Sequence, residues 1–129
     1  MKKFVINLIE RSDRLQLFNE TNPNIDYELY QAVNGKNVDY DELKSRGFDT
    51  DKNWIDPILK THLTKGEVGC FLSHYNLWLK CIALDEPIII YEDDAIIGDS
   101  YDEDHITTLL ESYNFIYLAY REMGEGKSI

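Results

Sequence analysis

The chain has 129 residues, 43% of them hydrophobic and 12% aromatic, and its 24 acids outnumber its 13 lysines and arginines to give a formal charge of −11. That length and composition suit one globular domain with a real core and exclude a disordered chain. The charge excludes a nucleic-acid backbone or an anionic membrane surface as the main partner, because the whole surface would repel either one.

No apolar stretch approaches the roughly 20 residues that cross a bilayer. Met1-Lys2-Lys3 leads only into a strand-length run, Phe4-Val5-Ile6, that gives way to Asn7. Neither a membrane anchor nor a secretory signal is expected. Cys70 and Cys81 fall eleven residues apart in one predicted helix, separated by about 16 Å along an axis that rises about 1.5 Å per residue. They cannot pair there. Both read as small apolar residues in a reducing compartment, and a cytoplasmic location is expected.

In chain order, Lys3 to Leu8 reads as a buried first strand, followed by the polar loop Glu10-Arg11-Ser12-Asp13-Arg14. Ser12 is expected to cap a helix carrying Leu15, Leu17 and Phe18, which Asn22-Pro23-Asn24 ends. Tyr27 to Val33 reads as a second strand stopped by the turn signal Asn34-Gly35. Asp39 to Gly47 has an Asp cap, Glu42 three residues later and a terminal glycine, the pattern of a short surface helix. From Phe48 to Leu63 a loop with single turns of helix is expected.

Thr64-Lys65-Gly66-Glu67 forms a capping box, and Val68, Phe71, Leu72, Tyr75, Leu79 and Ile82 follow at helical spacing. This is the strongest helix signal in the chain. Pro87-Ile88-Ile89-Ile90-Tyr91 then reads as a strand buried on both faces, and it ends in Glu92-Asp93-Asp94 before Ala95-Ile96-Ile97. An acidic loop from Gly98 to Asp104, a helix from about His105 to Ser112, a strand from Phe115 to Tyr120 and a fraying tail over 121–129 complete the reading. Strands alternating with helices predict an α/β domain with a largely parallel sheet, one domain over 1–129.

Three adjacent carboxylates at a strand tip repel one another, and a divalent cation is the simplest partner, since hard oxygens suit magnesium, calcium or manganese. The bland alternative is that the acids only solvate a turn. On the central helix Glu67, Cys70, His74, Trp78 and Cys81 share one side, at about 100° per residue. His74 there is either a satisfied core histidine or a catalyst, Glu67 is either the capping-box acid or a functional one, and Trp78 reads as core. Arg11 and Arg14 lie beyond the first strand, where an α/β sheet places its ligand crevice, and can either hold a diphosphate or form ordinary surface pairs. Asp99, Asp102, Glu103 and Asp104 read as capping and solvating acids. No phosphate-binding glycine loop, nucleophile elbow or zinc spacing is present.

Taken together, several segments in order resemble glycosyltransferase family 25, which contains lipooligosaccharide and procollagen galactosyltransferases. They are Phe4-Val5-Ile6-Asn7-Leu8 with Arg11 and Asp13-Arg14; Ala32-Val33-Asn34-Gly35; Gly66-Glu67-Val68-Gly69-Cys70 with Leu72-Ser73-His74 and Trp78; and Ile90-Tyr91-Glu92-Asp93-Asp94-Ala95. The resemblance implies a GT-A-like α/β/α sandwich that binds a nucleotide sugar over the carboxyl edge of the sheet. It implies a metal, manganese first, on Glu92 and Asp94, with Asp93 supporting the metal or the ribose. By the same likeness Asn7, Leu8, Arg11, Arg14, Asn34 and Ser73 lie near the nucleotide, and His74 and Glu67 are the candidate catalytic residues, His74 lining the donor site.

Asn34 stands where many relatives carry Asp. Family members also continue well beyond the metal motif, so the chain is expected to be a donor-binding part of a transferase, a partial domain. The implied activity is transfer of a hexose, galactose favoured, from a uridine diphosphate (UDP) sugar to a saccharide or hydroxyl acceptor, as in lipopolysaccharide biosynthesis. A non-catalytic relative that keeps the metal and nucleotide site is the alternative, and a metal-dependent phosphohydrolase a weaker one. An uncovered sheet edge invites a homodimer.

Overall fold

A computed structural model describes residues 1–50 and 54–119. Two compact units divide the chain, Met1–Ile96 and Ile97–Ile129. The first holds β1 (Lys2–Asn7), α1 (Ser12–Thr21), β2 (Glu28–Gln31), a 3-10 turn at Gly35–Asn37, α2 (Tyr40–Ser45), α3 (Lys65–Leu84) and β3 (Ile88–Glu92). The second holds α4 (Glu103–Leu110). As expected, the fold is α/β with a parallel sheet.

The sheet order is β2-β1-β3, with both pairings parallel. β1 lies in the middle, and that position explains why Phe4, Val5, Ile6 and Asn7 are all buried. Side chains alternate across a strand. Phe4 and Ile6 therefore face α3, where they pack with Leu77 against Tyr30, Ala32, Ile88 and Ile90. Val5 is in register with Tyr91, and on that opposite face Phe18 of α1 approaches Tyr91 with ring centroids 6.3 Å apart. Helices on both faces let the central strand be apolar from Phe4 to Ile6. β2 is shorter than the expected 27–33, although Ala32 N–H still donates to the Asn7 carbonyl at 2.8 Å.

Capping follows the sequence at three helices. Asp39 accepts from the backbone N–H groups of Asp41 and Glu42 at the start of α2, and Gly47 closes that helix at φ 94°. Thr64 accepts from Glu67 N–H at the start of α3. Asp102 accepts from Asp104 and His105 N–H at the start of α4, which begins at Glu103 rather than near His105 for that reason. α1 departs from expectation. Ser12 is its first helical residue and Arg11 occupies the cap position without a side-chain cap, because Arg11 N–H bonds back to the Leu8 carbonyl and turns the chain one residue early.

The outer side of α3 carries a second cluster, Leu43, Val68 and Leu72 with Val33, Val38, Phe48, Trp54, Leu63 and Phe71. Edge-on ring pairs tie Phe48 to Trp54, Phe71 and Tyr75. The described part of the 48–63 segment contains an Ile55–His62 bridge and a turn in which Asp56 accepts from Ile58 and Leu59 N–H.

The loop after β2 crosses α3 at backbone distance. A Cβ on Gly69 would sit 2.5 Å from the Val33 carbonyl oxygen, and one on Gly35 would overlap the Lys65 carbonyl. Only glycine permits that approach. Ser73, fully buried, completes the junction by accepting from Val33 N–H at 2.8 Å and donating to the Gly69 carbonyl at 2.7 Å.

The expected strand at 115–120 is not formed over 115–119, which has no ladder partner among the described residues; Phe115 and Tyr117 are exposed. β-prone residues need a partner strand before they make a strand. Tyr120 and the tail 121–129 lie outside the described residues. No helix among the described residues is long and apolar enough to cross a membrane.

Gly69→Ala is expected to destabilise the protein by about 1–3 kcal/mol, the usual cost of forcing extra atoms into a packed site. Gly66→Ala, where the nearest atom to the new methyl is 3.9 Å away, should instead be neutral or stabilise by up to about 1 kcal/mol through helix propensity. Urea unfolding midpoints of the two variants check the contrast, and equal effects would contradict the close crossing.

Candidate functional site

The carboxyl ends of β1 and β3 are neighbours, with Ile6 in register with Glu92. Just beyond them Asn7, 4% exposed, donates both amide hydrogens: to the Arg11 carbonyl at 3.0 Å and to Asp93 Oδ2 at 2.8 Å. Arg14, on the first turn of α1, meets the other Asp93 oxygen at 2.5 Å and Asp94 Oδ2 at 3.3 Å. Thus Asn7, Arg14, Asp93 and Asp94 assemble from the ends of two strands and the start of one helix.

The three acids have different surroundings. Ala95 N–H bonds to the Glu92 carbonyl, so residues 92–95 form a turn that sends consecutive side chains in different directions. The Asp93 side chain is 10% exposed and held between Asn7 and Arg14, whereas that of Asp94 is 68% exposed with Arg14 beside it. Glu92 turns toward α3, where its Oε1 lies 3.1 Å from His74 Nε2 and accepts from Cys70 Sγ at 3.7 Å.

His74 is neither a plain core histidine nor isolated. Hydrogen bonds with Cys70 and Glu92 raise its pKa to about 9 against partial burial, while the bond from His74 holds the Glu92 carboxyl below its usual range. At neutral pH the imidazole is therefore protonated and the pair is ionic. Cys70 is exposed, which corrects its reading as a small apolar residue. Trp78, expected in the core, is 39% exposed and forms the rim of the aromatic cluster, next to His74 and edge-on to Phe71. Cys70 was missed because its neighbour Glu92 comes from another element; only helix spacing hinted at it.

The remaining candidates are placed differently. Glu67 is exposed; its N–H donates to Thr64 Oγ1, the first half of the capping box, while its carboxylate accepts from the Thr64 hydroxyl at 3.0 Å, and it is not in the Cys70–His74–Glu92 group. Arg11 forms a two-pronged pair with Asp13, at 2.9 Å for each contact, which draws the Asp13 carboxyl down to about 2; its peptide carbonyl, not its guanidinium, reaches Asn7. Leu8 contributes a backbone carbonyl to the turn into α1. Ser73 has its hydroxyl committed to Val33 and Gly69 and has no exposed surface, so it acts on the site only by fixing the 33–35 loop.

That loop borders a cleft of about 510 Å³ lined by Ile9, Glu10, Ala32, Asn34, Asp39, Arg46 and Leu72 among others. The Asn34 amide accepts from Lys36 N–H and donates to Glu10 Oε1 at 3.2 Å, bridging the ends of β1 and β2 across the cleft wall. Ile9 and Glu10 are lining residues that the sequence did not single out.

A sheet with its polar groups gathered at the carboxyl edge is where α/β folds bind ligands, and the comparisons with known proteins fit that placement. The sequence profile described as Glycosyltransferase family 25 (LPS biosynthesis protein) matches residues 1–125. The chain belongs to glycosyltransferase family 25. It is similar to a Procollagen galactosyltransferase 1-A of Xenopus laevis, 32% identical over 129 residues, which cover 93% of this chain and 21% of that protein. It is 29% identical over 130 residues to a Glycosyltransferase 25 family member of Aedes aegypti, covering 95% of this chain and 21% of the relative. An Inactive glycosyltransferase 25 family member 3 of Mus musculus is 31% identical over 136 residues, 98% of this chain and 23% of its own length. The chain therefore spans about a fifth of the length of these relatives.

Two consequences of the His74–Glu92 pair are measurable in metal-free protein. Imidazole NMR should give a His74 titration midpoint near 9, falling only part of the way toward the ordinary value of 6.5 in Glu92→Gln, because the larger contribution, the hydrogen bond with Cys70, remains; a wild-type midpoint already near 6.5 would remove the pair. A raised histidine pKa gives stability that is full below about 6.5 and lost as pH climbs through about 9, and a lowered carboxyl pKa gives stability lost only at acid pH. The stability difference between wild type and His74→Gln should therefore shrink from about pH 6 to about pH 10. Because the pair is half in solvent, that difference is at most about 1 kcal/mol.

Proposed function

We propose that this chain is the donor-binding part of a GT-A-like glycosyltransferase that takes a UDP-hexose, galactose first, and passes the hexose to a saccharide or hydroxyl acceptor, as in lipopolysaccharide biosynthesis. The observation that carries this reading is the Asn7–Asp93–Arg14–Asp94 assembly at the carboxyl edge of a parallel sheet in a family 25 chain. A guanidinium held by two acids is ready to exchange the exposed one, Asp94, for a phosphate oxygen.

By their chemistry, though they face His74 and Arg14 in different directions, the carboxylates of Glu92 and Asp94 suit a hard divalent cation once both turn toward it. Glu92 and Asp94 side chains are 54% and 68% exposed carboxylates on one turn, and manganese prefers such oxygens. These two residues would hold the ion, which when bound offsets the charge that gathers on a departing diphosphate. The chain's own groups do the remaining work. Arg14 binds the diphosphate, Asp93 and Asn7 keep Arg14 oriented, and Asn34 and Glu10 offer hydrogen bonds along the cleft to the nucleoside. His74, protonated beside Glu92, places a positive charge at the same edge.

A second reading is favoured by one finding. Relatives named inactive match as well as those named galactosyltransferases. In that reading the chain binds metal and nucleotide without transfer.

Calorimetric titration with UDP should show binding that requires manganese, is lost in Asp94→Ala and is weakened about tenfold or more in Arg14→Ala, a loss of about 1.4 kcal/mol. Wild-type protein with no affinity for UDP in the presence of manganese would overturn both readings. Release of free UDP from UDP-galactose with a saccharide acceptor then separates the transferase from the binding protein. Asp93→Ala should behave unlike Asp94→Ala. It leaves one hydrogen of the buried Asn7 amide without an acceptor and should lower unfolding stability by about 1–3 kcal/mol, whereas the exposed Asp94→Ala should leave the urea midpoint nearly unchanged.

A further inference from the structure

Cys70 and His74 lie four residues apart on α3, so they project from the same side of the helix one turn apart. β3 delivers Glu92 opposite them. Three donor atoms of three kinds, a sulfur, an imidazole nitrogen and a carboxylate oxygen, fall within 4.8 Å of one another. Sγ to Oε1 is 3.7 Å and Nε2 to Oε1 is 3.1 Å. Donors bound to one tetrahedral ion at about 2.0–2.3 Å stand at comparable separations from each other.

Cys81 provides an internal comparison. It lies on the same helix, but its Sγ donates to the Glu86 carbonyl at 3.2 Å and it has no histidine or acid in a comparable group among the described residues. The clustering around Cys70 is therefore specific to the end of β3.

We propose that Cys70, His74 and Glu92 form a site for a borderline divalent transition metal of the zinc class, distinct in donor chemistry from the hard-cation pair of Glu92 and Asp94. Thiolate and imidazole select zinc or cobalt over magnesium, calcium or manganese. Three protein ligands leave a fourth position open to water or to a ligand oxygen, the arrangement of reactive rather than structural zinc sites. Binding breaks the His74–Glu92 ion pair, and the thiol and imidazolium protons pass to solvent as the metal takes their place. Because Glu92 belongs to both donor sets, zinc bound here competes with a hard cation that uses Glu92. The site itself does not rest on the transferase reading, since its donors are defined without nucleotide.

Cobalt(II) titration of the full chain tests this by optical absorption, which reports the ligands directly. The expected result is a one-to-one complex with a sulfur-to-cobalt charge-transfer band in the near ultraviolet and visible ligand-field bands of tetrahedral strength. Zinc should displace both. Cys70→Ser should lose the charge-transfer band, His74→Gln should lose the tetrahedral spectrum, and Cys81→Ser and Asp94→Ala should retain both, with circular dichroism confirming that each variant is folded. Absence of a charge-transfer band in wild type, or a band that survives Cys70→Ser or requires Cys81, would overturn the proposal. Failure of the UDP reading would leave this result untouched, because Asp94→Ala separates the two sites.

Discussion

The amide of Asn7 is the interaction on which the carboxyl edge of this sheet depends. It is buried at the end of the central strand, and each of its two hydrogens is used on a different loop, one on the Arg11 carbonyl before α1 and one on Asp93 after β3. A buried amide left unpaired would be costly, so this position fixes both loops at once. Asp93 in turn faces Arg14, whose guanidinium reaches it from the first turn of the helix that the Arg11 loop begins. Strand end, turn and helix start are therefore a single polar unit. It explains how three consecutive acids persist together: one is neutralised inside, one is paired with an imidazolium, and one is left in water beside a guanidinium.

The other wall of the edge is fixed by close packing. Gly35 and Gly69 let the loop after β2 touch α3 at backbone distance, and Ser73 binds the two with one hydroxyl that both donates and accepts. That contact sets where Asn34 and Glu10 meet above the cleft. The motif residues from Gly66 to His74 thus divide by helix face. Gly69 and Ser73 hold the loop, Val68 and Leu72 fill the outer core, and Cys70 and His74 turn toward β3.

Local signals carried much of this into the sequence. Thr64, Asp39 and Asp102 each cap the helix their spacing foretells, and the triple isoleucine run is a strand as it reads, although it pairs with β1 alone among the described residues and Ile88 and Ile90 are half-buried. Ser12 misled because backbone turning, not a hydroxyl, starts α1. The run from Phe115 misled because strand propensity says nothing about whether a partner strand is at hand. At the site, the residue types and their strand-end positions were legible, while their pairings were not. Glu92 could not be matched to Cys70 and His74, or Asn7 to Asp93, because each pair joins elements far apart in the chain. Trp78 shows the same limit from the opposite side, since helical spacing placed it near the core but could not tell centre from rim.

Charge at the edge bears on how so acidic a chain could receive an anion. Against a formal −11, the three acids at the end of β3 and their partners are nearly balanced: protonated His74 cancels Glu92, and Arg14 cancels one of Asp93 and Asp94. The potential felt by a ligand there is set by these close, partly desolvated partners more than by distant surface acids, which salt screens over about 10 Å. An added divalent ion would tip that local balance to positive without any change in the surface that repels polyanions elsewhere. Under the proposed function, small anions carrying their own cation would thereby be separated from nucleic acids and anionic membranes, and the acidity of the chain would become a source of selectivity for the edge.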